Sequence, residues 1–235
     1  MILDNYLDKL IGQKILDRNT KERENHKSSG KLSASMLGQP LQWQILKIKG
    51  VPTKDIDEYA LRKMLRGKQI EEWFIKEIGS QDSQNFAEYR GCIGYIDAIL
   101  DTSNWFFPCS IIPCEVKSVS NAKYKRILKE KKPQESHILQ ACFYALAKKT
   151  EQFAIVYIAA DDLRINTWIF DTKEYASKVD QCIDEFNEAM AKNEVPVFVP
   201  KEDWQANVKY SNYPEWQELT QEEINLKIKQ YENKS

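Results

Sequence analysis

The chain has 235 residues, of which 42% are hydrophobic, and its formal net charge is −1. This is enough apolar sequence for one buried core, so we expect a single domain with appendages. There is no run of about 18 apolar residues and no secretory leader pattern at residues 1–5, which excludes a membrane span and favours a cytoplasmic or phage-encoded intracellular protein.

The N-terminal third predicts two helices separated by polar sequence. Apolar residues recur at helical spacing over residues 2–17, which indicates an amphipathic helix. The polar residues 18–30, which include His26, are predicted to form a mobile linker, so residues 1–30 stand apart from the core. Asp55 is a predicted N-cap for a helix over residues 56–79, with Glu58 as its capping-box partner.

The rest of the chain alternates strand and helix patterns. Two strand-like stretches, 87–100 and 105–117, flank a turn-like segment at 101–104 and predict a hairpin. A helix over 134–149, strands over 153–160 and 164–170, and a helix over 173–192 are expected next. Residues 196–235 are irregular and end in a helix capped by the pattern Thr220 to Glu223. We therefore predict an α/β core over residues 31–195, with a central mixed β-sheet flanked by helices.

The five cysteines show no spacing typical of zinc or redox motifs. Their number is odd, and most lie in apolar runs: Cys92, Cys109, Cys114, Cys142 and Cys182. We expect reduced, buried thiols.

Two acids and a lysine lie in the predicted hairpin. Asp97 is in the first strand, and Glu115 and Lys117 are near the end of the second. Residues two apart on a strand share a face, so Glu115 and Lys117 project together, and antiparallel pairing can bring Asp97 beside them. Carboxylates are the ligands that Mg²⁺ and Mn²⁺ prefer, which makes this a candidate site for phosphodiester hydrolysis. Taken alone, the three residues favour a salt-bridged strand end.

A basic segment follows this site. Seven basic residues and one acid lie between Lys117 and Lys132, with Tyr124 among them. Such a run can follow a phosphate backbone or can simply be a solvated face.

Further motifs flank the acids and the lysine. Gly67-Lys-Gln-Ile-Glu71 lies on the preceding predicted helix and Gln140-Ala-Cys-Phe-Tyr144 on the following one. An acid, a (D/E)-x-K strand and a helix in this order resemble the PD-(D/E)XK nuclease superfamily, and the two flanking motifs resemble its RecB-type exonuclease branch, which includes CRISPR adaptation exonucleases and AddB-like nucleases. A solvent-facing Glu71, a rim Gln140 and a core Tyr144 are the alternatives.

The resemblance implies a restriction-endonuclease-like fold and a set of roles. Asp97, Glu115 and the carbonyl of Val116 would bind Mg²⁺ or Mn²⁺, with Glu71 completing the shell. Lys117, with a lowered pKa, would position or deprotonate the attacking water. Gln140 would lie near Lys117. The residues implied in DNA binding are Tyr144, Lys123, Tyr124, Lys125 and Arg126, together with Ser33 and Ser35 of a serine-bearing entry motif.

The chain departs from several RecB-type relatives, which carry an iron–sulfur cluster on four cysteines. Ser211 stands where a cysteine is expected and no cysteine follows Cys182, so no iron–sulfur cluster is expected. The aromatics Trp204, Tyr210 and Tyr213 would close the domain or stack on bases. His137 would lie at the surface or touch DNA.

The resemblance leaves three functions open. The leading one is an exonuclease acting on DNA ends or single strands, with a protein partner in a recombination, CRISPR or phage pathway and no membrane. The alternatives are a site-specific endonuclease and a catalytically silent DNA-binding or assembly subunit with a nuclease fold; a structural phage protein is more remote.

Overall fold

The computed structural model describes residues 2–25, 29–80, 85–102 and 111–232. Its helices are α1 (Ile2–Asn25), α2 (Leu41–Ile48), α3 (Glu58–Glu77), α4 (Asn121–Glu130), α5 (Glu135–Lys148), α6 (Thr172–Ala191) and α7 (Gln221–Glu232). Its strands are β1 (Asn85–Tyr89), β2 (Cys92–Ile96), β3 (Ala98–Asp101), β4 (Ile111–Val119), β5 (Gln152–Ala159) and β6 (Ile165–Asp171). His26, Cys109 and the predicted strand start at Trp105 lie outside the described residues.

A mixed sheet forms the centre of the fold. Its strand order is β3-β4-β5-β6, with β4 and β5 parallel and the outer pairs antiparallel. Residues 153–159 of β5 are all buried, because helices cover both faces of the sheet. On one face α3 packs through Ile70 and Phe74, and on the other α5 contributes residues such as Tyr144 to the larger core. The predicted α/β class with a mixed sheet flanked by helices is confirmed.

The N-terminal helix is longer than the sequence pattern predicts. We expected a linker from residue 18, but α1 continues to Asn25, so the linker prediction is wrong over most of its length. Packing on α3 explains the difference: Gly12 lies so close to Glu58 that an added Cβ would clash with its carboxylate, and Arg23 forms an ion pair of 2.7 Å with Asp55. A polar segment remains helical when one side is held against a neighbour.

The start of α3 differs in the same region. Asp57, not Asp55, is the N-cap, and its side chain accepts a hydrogen bond from the Ala60 amide at 2.8 Å. Asp55 was a plausible cap by residue type, but it is bonded to Arg23 instead. The helix therefore begins two residues later than predicted.

Residues 87–100 do not form one strand as predicted. They divide into β1, β2 and β3, and β1 and β2 make a separate two-stranded sheet. The turn between them uses positive φ at Arg90 (49°) and Gly91 (79°), which matches the twist of a tight hairpin. A second break comes at Asp97, between β2 and β3. The predicted hairpin before the basic segment is present as β3 and β4.

The later elements follow the prediction closely. The helix over 134–149, the two strands after it and the helix over 173–192 appear as α5, β5, β6 and α6. Thr220 and Glu223 form the predicted capping box of α7, and the Gln42 side chain ties residues after 195 to the core by donating to the Pro196 and Trp216 carbonyls. Whether residues 196–235 are a separate unit stays a prediction.

The four described cysteines, Cys92, Cys114, Cys142 and Cys182, are free and buried. Among the described helices, none is long and apolar enough to cross a membrane.

Candidate active site

The break at Asp97 opens one edge of the central sheet. Strand β3 pairs with β4 only as far as Ala98 opposite Cys114, and the chain then turns away into β2. Asp97 stays at the opening, where its Oδ2 accepts a hydrogen bond from the Val116 amide at 2.9 Å. This bond replaces the strand pairing that ends at Ala98. It places Asp97 beside the segment that carries Glu115 and Lys117.

Glu115 is completely buried on the α5 side of the sheet, in register with Ile155 of β5. The Lys117 ammonium forms an ion pair with Glu115 Oε1, yet neither carboxylate oxygen accepts a well-oriented hydrogen bond from the described residues. Burial raises the pKa of Glu115 to about 8, against the opposing effect of Lys117. A buried carboxylate is costly unless cations neutralise it; Lys117 does so at Oε1, and Oε2 has no partner among the described residues, so this residue fits a metal ligand.

Two further acids respond to the same environment. Burial raises the pKa of Asp97, although Lys117 and the Val116 amide act in the opposite direction. Glu71 lies on α3, and its pKa is raised to about 7 by burial first and by the charge of Asp97 second. The pKa values of Asp97, Glu115 and Glu71 are therefore all raised, so each acid is protonated to a greater extent than it would be in water at the same pH.

Two of the predicted metal ligands are arranged so that they could bind a divalent cation. Asp97 and Glu115 are close enough to exchange a hydrogen bond, and carboxylate oxygens are the ligands that Mg²⁺ and Mn²⁺ prefer. In the described part of the chain, however, no three His, Cys, Asp or Glu side chains are grouped as a metal site. The pair therefore fits the cation, while ligation by Glu71 and by the Val116 carbonyl stays a prediction.

Lys117 differs from the sequence prediction in its protonation. Burial lowers its pKa, but Glu115, Asp97 and Glu71 raise it by more, and the net pKa lies above the ordinary value for a lysine. A lowered pKa was expected because a buried ammonium loses its hydration. That prediction is wrong, because it ignored three neighbouring carboxyl groups. A third of the side chain remains exposed.

Gln140 and Tyr144 lie near Glu115. The Gln140 side-chain amide donates to the Tyr144 hydroxyl at 2.8 Å, and burial, followed by the charge of Glu115, raises the pKa of that hydroxyl. Only 1% of Tyr144 is exposed, because its ring packs where Gly94 leaves space for it. The predicted contact of Tyr144 with the DNA backbone is therefore corrected: the side chain lies inside the protein.

The basic segment is a helix, and its periodicity divides the predicted DNA-binding residues. Tyr124 is 4% exposed and belongs to the core, so its predicted contact with DNA is corrected as well. Lys123 donates to the Gln134 side chain at 2.6 Å and is half-buried. Lys125 and Arg126 point to solvent, where they can meet phosphates.

The two serines lie next to β2. Ser33 forms an isolated bridge with Ile93, and its hydroxyl lies 3.1 Å from that of Ser35. Ser33 is half-buried and Ser35 is exposed. Their contact with phosphate stays a prediction.

A histidine and a tyrosine add to the surroundings of Lys117. His137 is half-buried, so the predicted surface position is wrong, and its Nδ1 lies 2.7 Å from the Tyr157 hydroxyl. Burial, with Lys117 and Lys123 second and third, holds the pKa of His137 well below its ordinary value. Sequence reasoning missed Tyr157, and the available signal was a hydroxyl group within an otherwise apolar strand.

Of the C-terminal aromatics, Tyr213 is buried, whereas 39% of Trp204 and 54% of Tyr210 is exposed. Packing of the domain therefore accounts for Tyr213 only.

A cleft of about 780 Å³ begins at Lys117 and runs between α1 and α3. Its walls include Arg18, Asn19 and Glu22 of α1, all within the segment that the sequence had suggested was a linker. Glu71 lies on the facing wall.

Comparison with known proteins identifies solved structures with a similar fold. No protein-family model matches the chain, and its sequence matches no curated protein. Its structure resembles that of LHK-Exo, an alkaline exonuclease from Laribacter hongkongensis, with TM-scores of 0.51 in the complex with dAMP and 0.50 in a second structure. The identity is 14% over 70% of this chain and 89% of that one. SSO0001 gives a TM-score of 0.50 at 17% identity, over 89% of this chain and 98% of its own.

The chain shares its fold with LHK-Exo. At these identities the likeness concerns the backbone only, and a shared fold does not establish a shared activity.

Proposed function

We propose that the chain is a divalent-metal-dependent deoxyribonuclease of the RecB-type branch that removes nucleotides from DNA ends. The observation that carries the proposal is the meeting of Asp97 and the fully buried Glu115 at an open strand edge beside Lys117. A salt-bridged strand end would not need a second, half-buried acid beside the ion pair. The exonuclease fold of the structural neighbours supports the same conclusion.

The chemistry follows from these groups. When bound, Mg²⁺ or Mn²⁺ would polarise the phosphate and lower the pKa of a water molecule. Asp97 and Glu115 would hold the cation, with Gln140 and Tyr144 fixing the orientation of Glu115. Lys117 is protonated at neutral pH, so we assign it to orienting the water and offsetting phosphate charge.

Incubation with linear and covalently closed circular DNA tests the proposal. We expect linear DNA to be degraded to nucleotides with Mg²⁺ or Mn²⁺, closed circles to resist, and EDTA to stop the reaction, because the two carboxylates need a cation to act on a phosphate. Degradation that continues in EDTA contradicts the metal-dependent mechanism. Cleavage of closed circles as fast as linear DNA would instead indicate an endonuclease.

The hydroxyl of Tyr144 offers a second test. A Tyr144→Phe substitution is expected to lower the turnover number about tenfold, because it removes the hydroxyl group that lies near Glu115 and accepts the hydrogen bond from Gln140. Affinity for DNA in EDTA should not change, since the hydroxyl is buried. Single-turnover kinetics and fluorescence anisotropy measure the two quantities, with Tyr210→Phe, at an exposed tyrosine, as the control. A loss of DNA affinity without loss of turnover would restore the DNA-contact role.

A further inference from the structure

The cleft that begins at Lys117 has a second wall that lies outside the predicted core of residues 31–195. Residues of α1 form that wall, facing α3 and the end of β4. The wall is fixed in place by ion pairs at both ends, since Asp8 bonds Arg62 at 2.9 Å and Asp55 bonds Arg23 at 2.7 Å. The substrate that reaches Lys117 from this side must therefore fit between two helices.

The cleft carries an excess of positive charge. Arg18 of α1 and Lys68 of α3 are exposed within it, and neither forms an ion pair with any described residue. Lys63 adds a third cation, whereas the acids of the cleft are Glu22 and Glu71. Cations without ion-pair partners, in the cleft that begins at Lys117, can bind successive phosphates of a DNA strand.

Apolar side chains line the same space. Met64 and Leu65 border the cleft, and 60% and 37% of their surfaces are exposed. Exposed apolar surface beside cations suits an unpaired strand, which presents base faces as well as phosphates. A duplex hides its base faces by stacking and offers mainly phosphates, so Met64 and Leu65 would remain without partners.

Gly67 keeps the cleft open. An added Cβ at this position would meet no atom within 4 Å, although the residue lies in the middle of α3 and borders the cleft. Glycine in a helix interior costs about 0.5–1 kcal/mol relative to alanine, so its use here has no benefit for the fold. Its benefit is room for a ligand one turn away from Glu71.

We propose that this cleft is the track of a single DNA strand on its way to the acids. Arg18 and Lys68 bind its phosphates, Met64 and Leu65 contact its bases, and Gly67 provides the room. Sites that enclose a drug-sized ligand measure roughly 300–1,000 Å³, so this cleft has room for one or two nucleotides of one strand. The inference rests on the proposed function, which makes the acids the place where the strand is cut. It adds a preference for single strands over duplexes.

Binding measured in EDTA tests the track without any hydrolysis. The probes are a fluorescein-labelled oligothymidylate of about 12 nucleotides and a blunt duplex of the same length, within the range of known single-strand sites. The wild-type protein should bind the single strand more tightly. The Arg18→Glu/Lys68→Glu variant should weaken that binding at least tenfold. Lys14→Glu/Lys76→Glu, with the same charge change at exposed positions of α1 and α3 outside the cleft, should change it less than twofold.

A Gly67→Leu variant tests the space independently of charge. It should unfold at no lower temperature than the wild-type protein, because leucine favours helix, and still lose at least tenfold in single-strand affinity. Equal affinity of the wild-type protein for duplex and single strand, or unchanged single-strand binding by both cleft variants, overturns the track.

The two proposals fail separately. A protein that degrades linear DNA with unchanged kinetics in both cleft variants keeps the nuclease function and loses the track. A protein that binds single strands through Arg18 and Lys68 but hydrolyses no DNA with Mg²⁺ or Mn²⁺ keeps the track and loses the nuclease function.

Discussion

A Glu115→Gln variant is expected to lose DNA hydrolysis by at least about a thousandfold and to lose the decrease in stability that the wild-type protein shows as the pH rises towards 8 when no metal is present. The loss of hydrolysis follows because an amide cannot supply the charge that holds the cation. The change in pH dependence follows because the wild-type protein must release a proton from a completely buried acid as the pH rises, whereas glutamine has none to release. The substitution also removes the ion-pair partner of Lys117, so it is the pH dependence of stability, and not the stability at one pH, that reports on Glu115.

The pH dependence of stability follows from the raised pKa of Glu115. Burial raises the pKa of Glu115 from 4.5 to about 8 in the folded protein, so the fold keeps a proton that the unfolded chain releases near pH 4.5. Stability is full below that pH and is lost as the pH rises through 8. Glutamine has no proton to release, so this pH dependence is absent from the variant.

Thermal unfolding in EDTA between pH 4 and 9 measures the effect, with Glu77→Gln, an exposed acid at the end of α3, as the control. Addition of Mn²⁺ should raise the unfolding temperature of the wild-type protein, because a ligand that binds only the folded state stabilises it, and should leave the Glu115→Gln variant almost unchanged. A variant whose stability falls between pH 4.5 and 8 as steeply as that of the wild-type protein contradicts the assignment of Glu115 as a buried acid with a raised pKa.

A Lys117→Met variant is expected to lose activity by at least about a hundredfold and yet to keep its stabilisation by Mn²⁺. Methionine removes the ammonium that orients the water and offsets phosphate charge, which accounts for the loss. The same ammonium repels a cation bound by Asp97 and Glu115, so its removal leaves metal affinity equal or higher. The contrast with Glu115→Gln separates a metal ligand from a catalytic cation.

Isothermal titration with Mn²⁺ and single-turnover hydrolysis measure the two effects, with Lys76→Met on α3 as the control for loss of a lysine. Loss of Mn²⁺ binding together with activity would mean that Lys117 only supports the fold of the site. Full activity would remove Lys117 from the mechanism.

The sequence was sufficient where local periodicity determines the structure. The two-residue period of a strand predicts that Glu115 and Lys117 share a face, and hairpin pairing predicts that Asp97 comes near them; both agree with the structure. Periodicity failed to predict α1 beyond residue 17, because the polar segment is held by tertiary contacts such as Arg23 with Asp55. Such contacts lie more than 30 residues apart in sequence and leave no local signal.

The positions of side chains within elements were harder to predict. Tyr124 and Tyr144 were both expected near DNA, because tyrosine suits a surface that meets a nucleic acid as well as it suits a core. The structure buries both, since each lies on the inner face of its helix. For Lys117 the sequence shows the burial but not the number of acids nearby, and the acids determine the direction of the pKa.

The bond from the Val116 amide to Asp97 has a further consequence for the behaviour of the protein in solution. An exposed strand edge with free amides is a template on which a second chain can add a strand and begin aggregation. At the point where β3 leaves β4, the Asp97 carboxylate occupies the first amide that such a strand would use. Asp97, which we propose as a ligand of the cation, thus also protects this strand edge against edge-to-edge association.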